Sequence, residues 1–298
     1  MKSKLLIPAL MALCVGTIAT FIGCTKNTNP QPPIHDTVTV IKKDTTTDTL
    51  YATKPDSTLN LTKGLLVYLP FSGNIADSSG NNNPTVAIGN VLTYDEHGWA
   101  NNAFGSSGTN EVLVTNNGSI KFDTAWSLAI AFMVNVNSQA ATFVSMIDPQ
   151  TGYAPTFNFG QTLASAPYYI ACGSGDVTQQ CNTFAVVNNY NITDTTSFLP
   201  NPGSWYKAVV IYHKGTLQTY INGVLISTKV GQGTEAALCP NSKIIIGNWW
   251  NGGSQGINGK LDNFRLYNRV LTAHEIAALS TNYLVTSNNV KATPKTAH

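Results

Sequence analysis

The stretch that decides the fold is SWYKAVVIYHKGTLQTYINGVLIS, residues 204–227. Its first half alternates Tyr206, Ala208, Val210 and Tyr212 against Trp205, Val209 and Ile211. Both faces carry apolar side chains, so this strand is covered on two sides and belongs in the middle of a sheet. The runs QTYI (218–221) and VLIS (224–227) then flank Asn222-Gly223. That dipeptide accepts the two positive φ angles of a type I′ turn and marks a hairpin. Working outward, Leu65–Pro70, Asn110–Thr115, Ser127–Val136, Ile244–Gly247 and Lys260–Tyr267 are further short runs of β-branched, aromatic and aliphatic residues separated by Gly, Asn and Ser. Strands in this rhythm predict an all-β sandwich or jelly roll. One helix is expected: Thr272 with Glu275 three residues on forms a capping box, and Ile276, Ala277 and Leu279 follow as a short apolar face.

The flanks of this domain read differently. Lys2 and Lys4 precede an uncharged apolar run from Leu5 to Ile22 that ends in Gly23-Cys24. A charged start, an apolar core and a small residue before the cut are the parts of a secretory leader over residues 1–23. Phe21-Ile22-Gly23-Cys24 resembles the lipobox of bacterial lipoproteins, with Phe21 in a position where that family prefers Leu. The resemblance implies acylation of Cys24, attachment to the outer membrane through lipid alone, and a domain facing the periplasm or the cell surface. Residues 24–62 are rich in Thr, Asp, Pro and Lys and offer no apolar face, so they are expected to be a flexible tether. The alternation in HDTVTVI within it is too short to weigh as an edge strand. Asp-Thr-Val (36–38), Asp-Thr-Thr (44–46), Asp-Thr-Leu (48–50) and Asp-Ser-Thr (56–58) resemble an O-glycosylation acceptor of one group of Gram-negative bacteria. The folded domain is expected over 63–283, followed by a frayed tail over 284–298.

Charge narrows the partners. The chain has 17 basic and 15 acidic residues; Lys2 and Lys4 leave with the leader, so the rest is neutral. Only Arg265 and Arg269 are arginines. A phosphate backbone demands a cationic surface, and none is available, which excludes nucleic acid. Beyond Cys14 in the leader and Cys24 at the anchor, Cys172, Cys181 and Cys239 allow any one of three pairs. In an oxidising envelope pairing is expected. Cys172–Cys181, closing the short loop CGSGDVTQQC, is favoured, with Cys181–Cys239 as its rival.

Three stretches in order resemble the laminin-G-like, concanavalin-A-type lectin/glucanase domains: LLVYLPFSGNIADSSGNNN (65–83), the 204–227 segment, and INGKLDNFRLYNRVLTAHEIAAL (257–279). The resemblance covers residues 64–280. It implies a concanavalin-A-like antiparallel β-sandwich, a jelly roll, closed by one short C-terminal helix. It also implies a calcium site in which Asp262 of the last strand joins oxygens near Ser72 and Asp77 of the first turn. The alternative for those acids is local: Asp262 accepting backbone bonds and Asp77 anchoring an Asx turn. Function does not follow from the resemblance, because this fold hosts lectins, adhesion modules and glycosidases alike.

Residue chemistry separates these. A retaining glycosidase needs two carboxyls about 5–5.5 Å apart. On one strand face that means acids at i and i+2 or i+4. The glutamates are Glu96, Glu111, Glu235 and Glu275, and none has another acid at such a spacing. The Glu-x-Asp-x-x-Glu pattern of related endoglucanases is absent, and no Gly-x-Ser-x-Gly elbow or His/Cys cluster replaces it. Glycan binding instead asks for flat aromatic faces beside polar groups. Trp249, Trp250 and Asn251 in WWNGG are the first candidates, with at most one tryptophan expected in the core and the other exposed in the loop or packed under it as a plug. Trp99 in HGWANN is the second, as a ligand platform or as a plug under a loop. Tyr153, in the long 148–202 segment, is the third. The expectation is an envelope lipoprotein whose domain binds carbohydrate, with a surface protein as alternative ligand and hydrolysis as the least supported reading.

Overall fold

The computed structural model describes residues 41–43, 50–52, 59–150, 156–161, 169–175, 192–231, 235–236, 238–250 and 255–280. The strands are β1 (Ile41–Lys43), β2 (Leu50–Ala52), β3 (Leu65–Leu69), β4 (Thr85–Ile88), β5 (Leu92–Thr93), β6 (Ala103–Ser107), β7 (Glu111–Thr115), β8 (Ala125–Val134) and β9 (Ala141–Ile147). They continue with β10 (Phe157–Gln161), β11 (Ile170–Ser174), β12 (Ile192–Thr195), β13 (Trp205–His213), β14 (Thr216–Ile221), β15 (Val224–Val230), β16 (Lys243–Ile246) and β17 (Asn258–Tyr267), and the helix is α1 (Ala273–Ser280). Seven strands in the order β12-β11-β10-β9-β16-β7-β4 form one sheet. The second runs β15-β14-β13-β8-β17-β6-β5, with β3 also paired to β17. Every paired strand is antiparallel.

The core lies between these sheets and follows from alternation. Trp126, Leu128, Ile130, Phe132 and Val134 of β8 and Ala208, Val210 and Tyr212 of β13 point into it. Trp126 stacks on Tyr212 at 6.0 Å, and Phe132, Phe143 and Phe159 pack as a triad within 6.0 Å. Each such buried side chain contributes about 1.5–3 kcal/mol. At β9–β10 the register slips between Phe159 and Gly160. A Cβ on Gly160 would lie 2.1 Å from the Ala141 carbonyl oxygen, so no larger residue fits that bulge.

The second sheet's outer face is covered too. Ala129 of β8 and Val209 and Ile211 of β13 bury against Tyr267, Leu271 and Ile276. The small Ala129 makes room for α1. The capping box forms: Thr272 N donates to Glu275 Oε2 at 2.8 Å, and Glu275 N to Thr272 Oγ1 at 3.3 Å. At the β14–β15 hairpin Asn222 and Gly223 adopt φ of 50° and 80°, as the type I′ reading requires.

Within the segment expected as a tether, β1 pairs β2 from Ile41↔Ala52 to Lys43↔Leu50. At the start of the domain Leu61 is buried, and Asn60 Oδ1 accepts the N–H groups of Thr62 and Lys63. One expectation is corrected: Cys172 is not bridged to Cys181. It faces inward from β11 as a free, buried thiol 3.1 Å from Thr219 Oγ1. Cys239 is the disulfide-bonded cysteine, and its partner lies outside the described residues. Long strand pairing on both sides of β11 fixes the Cys172 side chain toward the core, away from any loop partner. Cys24, Tyr153, Cys181 and Asn251 lie outside the described residues, as does the stretch after Ser280.

Candidate functional site

The turn after β5 carries the aromatic side chains most open to solvent. Among the described residues the exposed large aromatics are Tyr94 at 57% and Trp99 at 62%. Asp95 builds this loop. Its Oδ1 accepts the N–H groups of His97 and Trp99, both at 2.9 Å, and its own N–H donates to the Trp99 carbonyl at 3.1 Å. The turn is therefore rigid without a buried side chain at its tip. The His97 and Trp99 rings lie 5.4 Å apart at 45°, leaving a Trp99 face to solvent.

Cations on the outer face of the second sheet hold the loop down. The Lys207 ammonium of β13 forms a close ion pair with Glu96, both largely buried. Lys260 Nζ of β17 donates to the Tyr94 carbonyl at 3.0 Å. Gly73 N donates to the Asn101 carbonyl at 2.8 Å, tying the loop's far end to the first turn. Lys207 and Asp262 both lie opposite Ala131 of β8, one on each side, so Asp262 sits beneath the same loop. Asp262 is 6% exposed and accepts from Asn263 N at 2.7 Å and Asn263 Nδ2 at 3.0 Å. Burial pushes its carboxyl up to about 7; the Asn263 bond and Lys207 oppose that rise, while Asp95 and Glu96 add to it. The three carboxyls gathered here are each engaged: Asp95 by its turn, Glu96 by Lys207, Asp262 by Asn263.

Of the residues expected to hold calcium, Asp77 is engaged by its own turn. Asp77 accepts Tyr68 N and Ser79 N on one oxygen, and Ser79 Oγ, Asn83 N and Asn83 Nδ2 on the other, all between 2.8 and 3.0 Å. That leaves its lone pairs to the chain, which is the Asx-turn alternative. Ser72 Oγ turns back to the Pro70 carbonyl, and the charged neighbours of Asp262 are Lys207, Asp95 and Glu96. Among the described residues no group of three or more His, Cys, Asp or Glu is placed to hold a metal.

Trp249 and Trp250 are brought together, but against the protein. They follow the end of β16, where strand alternation no longer applies, and both are half-buried. Their rings meet edge to face at 6.5 Å and pack with Leu113 over Ile147 and Ile245, on the outer face of the first sheet. Neither tryptophan stands free in the loop, and the packing follows the plug alternative. Beside them Glu111 of β7 is 4% exposed, with Oε2 unpartnered. Burial raises its pKa, and the Asn248 side chain offsets part of the rise.

Sequence reasoning missed Tyr94, Glu96, Lys207 and Lys260. The signals were a lone lysine inside the apolar run WYKAVVIY, and an Asp three residues before Gly98.

A family model described as the concanavalin A-like lectin/glucanases superfamily matches residues 104–277. A comparison with curated protein sequences finds no match. Among solved structures, domain 4 of the extracellular GH43 arabinanase AbnA from Geobacillus stearothermophilus, in complex with arabinotriose, superposes with a TM-score of 0.54 at 15% identity, over 73% of this chain and 98% of that one. The binding domain of Paraclostridial Mosquitocidal Protein 1 gives 0.55 at 19% identity over 75% of this chain and 53% of that one. The receptor-binding domain of botulinum neurotoxin D gives 0.51 at 15% identity over 74% and 53%. The match spans about half the length of each toxin fragment, and at these identities the likeness is one of fold.

Proposed function

Because the chain belongs to the concanavalin A-like lectin/glucanase superfamily, we propose that its sandwich is a binding domain for carbohydrate, displayed on the envelope by a lipid on Cys24. The observation that carries the reading is the exposed Trp99 face on a loop braced by Glu96 and Lys207. A sugar ring stacks on such a face through its C–H groups, and a rigid loop loses little entropy when it does so. The arabinotriose complex of the structurally similar AbnA domain supports the same ligand class. Hydrolysis is not part of the reading, since the acids near Trp99 are engaged in holding the loop.

A second reading has its own observation. The outermost strand β15 exposes Val224, Leu225 and Val230, an apolar edge suited to a protein partner, and the similar domain of botulinum neurotoxin D is a receptor-binding domain.

Affinity electrophoresis through gels cast with neutral plant and bacterial polysaccharides separates the two. Retardation of the wild-type protein in at least one gel is expected; unretarded migration in all of them would favour the protein-binding reading. For the anchor, Cys24→Ala moves the protein from the membrane fraction to the soluble one, and an unchanged distribution would count against lipidation.

A further inference from the structure

A groove of about 270 Å³ runs beside the aromatic loop, between the β5–β6 edge and the start of β17. Gly105 and Gly259 both line it, and neither can carry a Cβ: at Gly105 it would lie 2.7 Å from Thr93 Cγ2, and at Gly259 2.1 Å from the Met133 carbonyl oxygen. Its walls carry the amides and hydroxyls of Asn90, Thr93, Ser107, Asn135 and Asn258 beside Leu92 and the stem of Lys260, with no carboxylate.

The bonding within those walls leaves a specific pattern outward. Asn135 Nδ2 donates to Asn258 Oδ1 at 2.9 Å. The amides are thereby locked against each other, and the groups left over are the Asn258 Nδ2 protons and the Asn135 Oδ1 lone pairs. A donor and an acceptor fixed side by side match two neighbouring hydroxyls of a sugar ring, each of which both donates and accepts. The groove also meets the aromatic loop: Lys260 lines it and holds the Tyr94 carbonyl, placing the exposed Tyr94 at its rim.

Resting on the carbohydrate reading above, we propose that this groove is the specificity subsite. It takes the vicinal diol of a neutral sugar residue on the Asn135–Asn258 pair, while the adjoining residue of the same chain lies on the aromatic loop. An uncharged ligand is committed to because the Asn135–Asn258 pair presents one donor and one acceptor, both neutral, for hydroxyls to satisfy.

The test is calorimetric titration of the full-length protein with arabinotriose, maltotriose and mannotriose, each at 50 mM and 500 mM salt as ~working values on either side of the physiological screening length. At least one trisaccharide binds, with affinity unchanged by salt. Asn258→Ala weakens it about tenfold, the size expected for losing one hydrogen-bonded pair. Ser107→Trp, which fills the groove from its exposed strand end, removes it. Thermal midpoints check that both variants are folded, and Asn258→Ala decides alone if Ser107→Trp does not fold. If a trisaccharide binds to all variants alike, the groove is not the subsite although the carbohydrate reading stands. If none binds to a wild type that the polysaccharide gels retard, the groove proposal falls and the carbohydrate reading stands; if the gels do not retard it either, both fall.

Discussion

Arg269 grips Glu275 through two parallel bonds, Nη1 to Oε2 at 2.7 Å and Nη2 to Oε1 at 2.6 Å. The same guanidinium donates from Nε to the Lys63 carbonyl at 2.7 Å and from Nη2 to the Asn60 carbonyl at 3.0 Å. One side chain thus joins the first turn of the domain to the N-terminus of its closing helix. Glu275 meanwhile caps that helix at Thr272.

Removing the cation strands a buried carboxylate. Arg269→Met is expected to cost about 3–5 kcal/mol in urea unfolding, the usual penalty for breaking a buried pair from one side. Burial alone would raise the Glu275 pKa, but Arg269 and the Thr272 N–H outweigh it and the net shift is downward. The pair's contribution is therefore present above the ordinary value of 4.5 and is lost as pH falls through the lowered folded value. A variant as stable as the wild type at pH 7 would remove this staple from the account.

Asp262 behaves in the opposite sense. Its folded pKa is about 7 against 3.8 for the free side chain, so the native state keeps a proton that the unfolded state has released. Its stability contribution is full below pH 3.8 and is lost as pH rises toward 7. Asp262→Asn keeps an oxygen for the Asn263 N–H and removes the ionisation. The variant should match the wild type at pH 4 and exceed its thermal midpoint at pH 8. Equal midpoints at both pH values would show that Asp262 ionises freely in the folded protein.

Cys172 should be chemically silent while the protein is folded. Burial pushes its thiol up to about 12, and only the thiolate is alkylated. Iodoacetamide is expected to leave the Cys172 peptide unmodified in native protein and to label it fully in guanidinium without reductant. Labelling of the native protein, or none after unfolding, would contradict a buried free thiol.

Lys207 supports the aromatic loop from below. Lys207→Met leaves Glu96 without its cation, and limited proteolysis should then cut between Tyr94 and Asn102 at least about tenfold faster, the effect of roughly 1.4 kcal/mol on local opening. An unchanged cutting rate would mean that the Asp95 turn alone sets the loop.

What the sequence disclosed depended on how local each signal was. Asn222-Gly223 and the Thr272/Glu275 box are complete within a few residues, and both stand in the structure as read. The central strand of 204–214 declared itself by apolar residues on both faces, which the core and α1 then cover. Lys207 and Glu96 lie 111 residues apart, and nothing local announces that they meet. Asp77 fitted a metal ligand and a turn anchor equally well in sequence; its five intrachain bonds, which show the anchor role, come from residues no local pattern ties to it. The tryptophan pair stayed open between loop and plug because alternation does not extend to it: β16 ends at Ile246 and the chain bends before Trp249. Strands β10–β12 sit in a segment rich in Gly, Asn and Thr, whose pairing is long-range and leaves little periodic trace.

The account turns on Trp99 offering its face to a sugar. Calorimetric comparison of wild-type protein, Trp99→Ala and Trp249→Ala against the polysaccharide that retards the wild type measures this directly. The prediction is a loss of about tenfold or more in affinity for Trp99→Ala, the worth of one aromatic stacking contact, with Trp249→Ala binding like the wild type. Full affinity in Trp99→Ala, or loss only in Trp249→Ala, would contradict it.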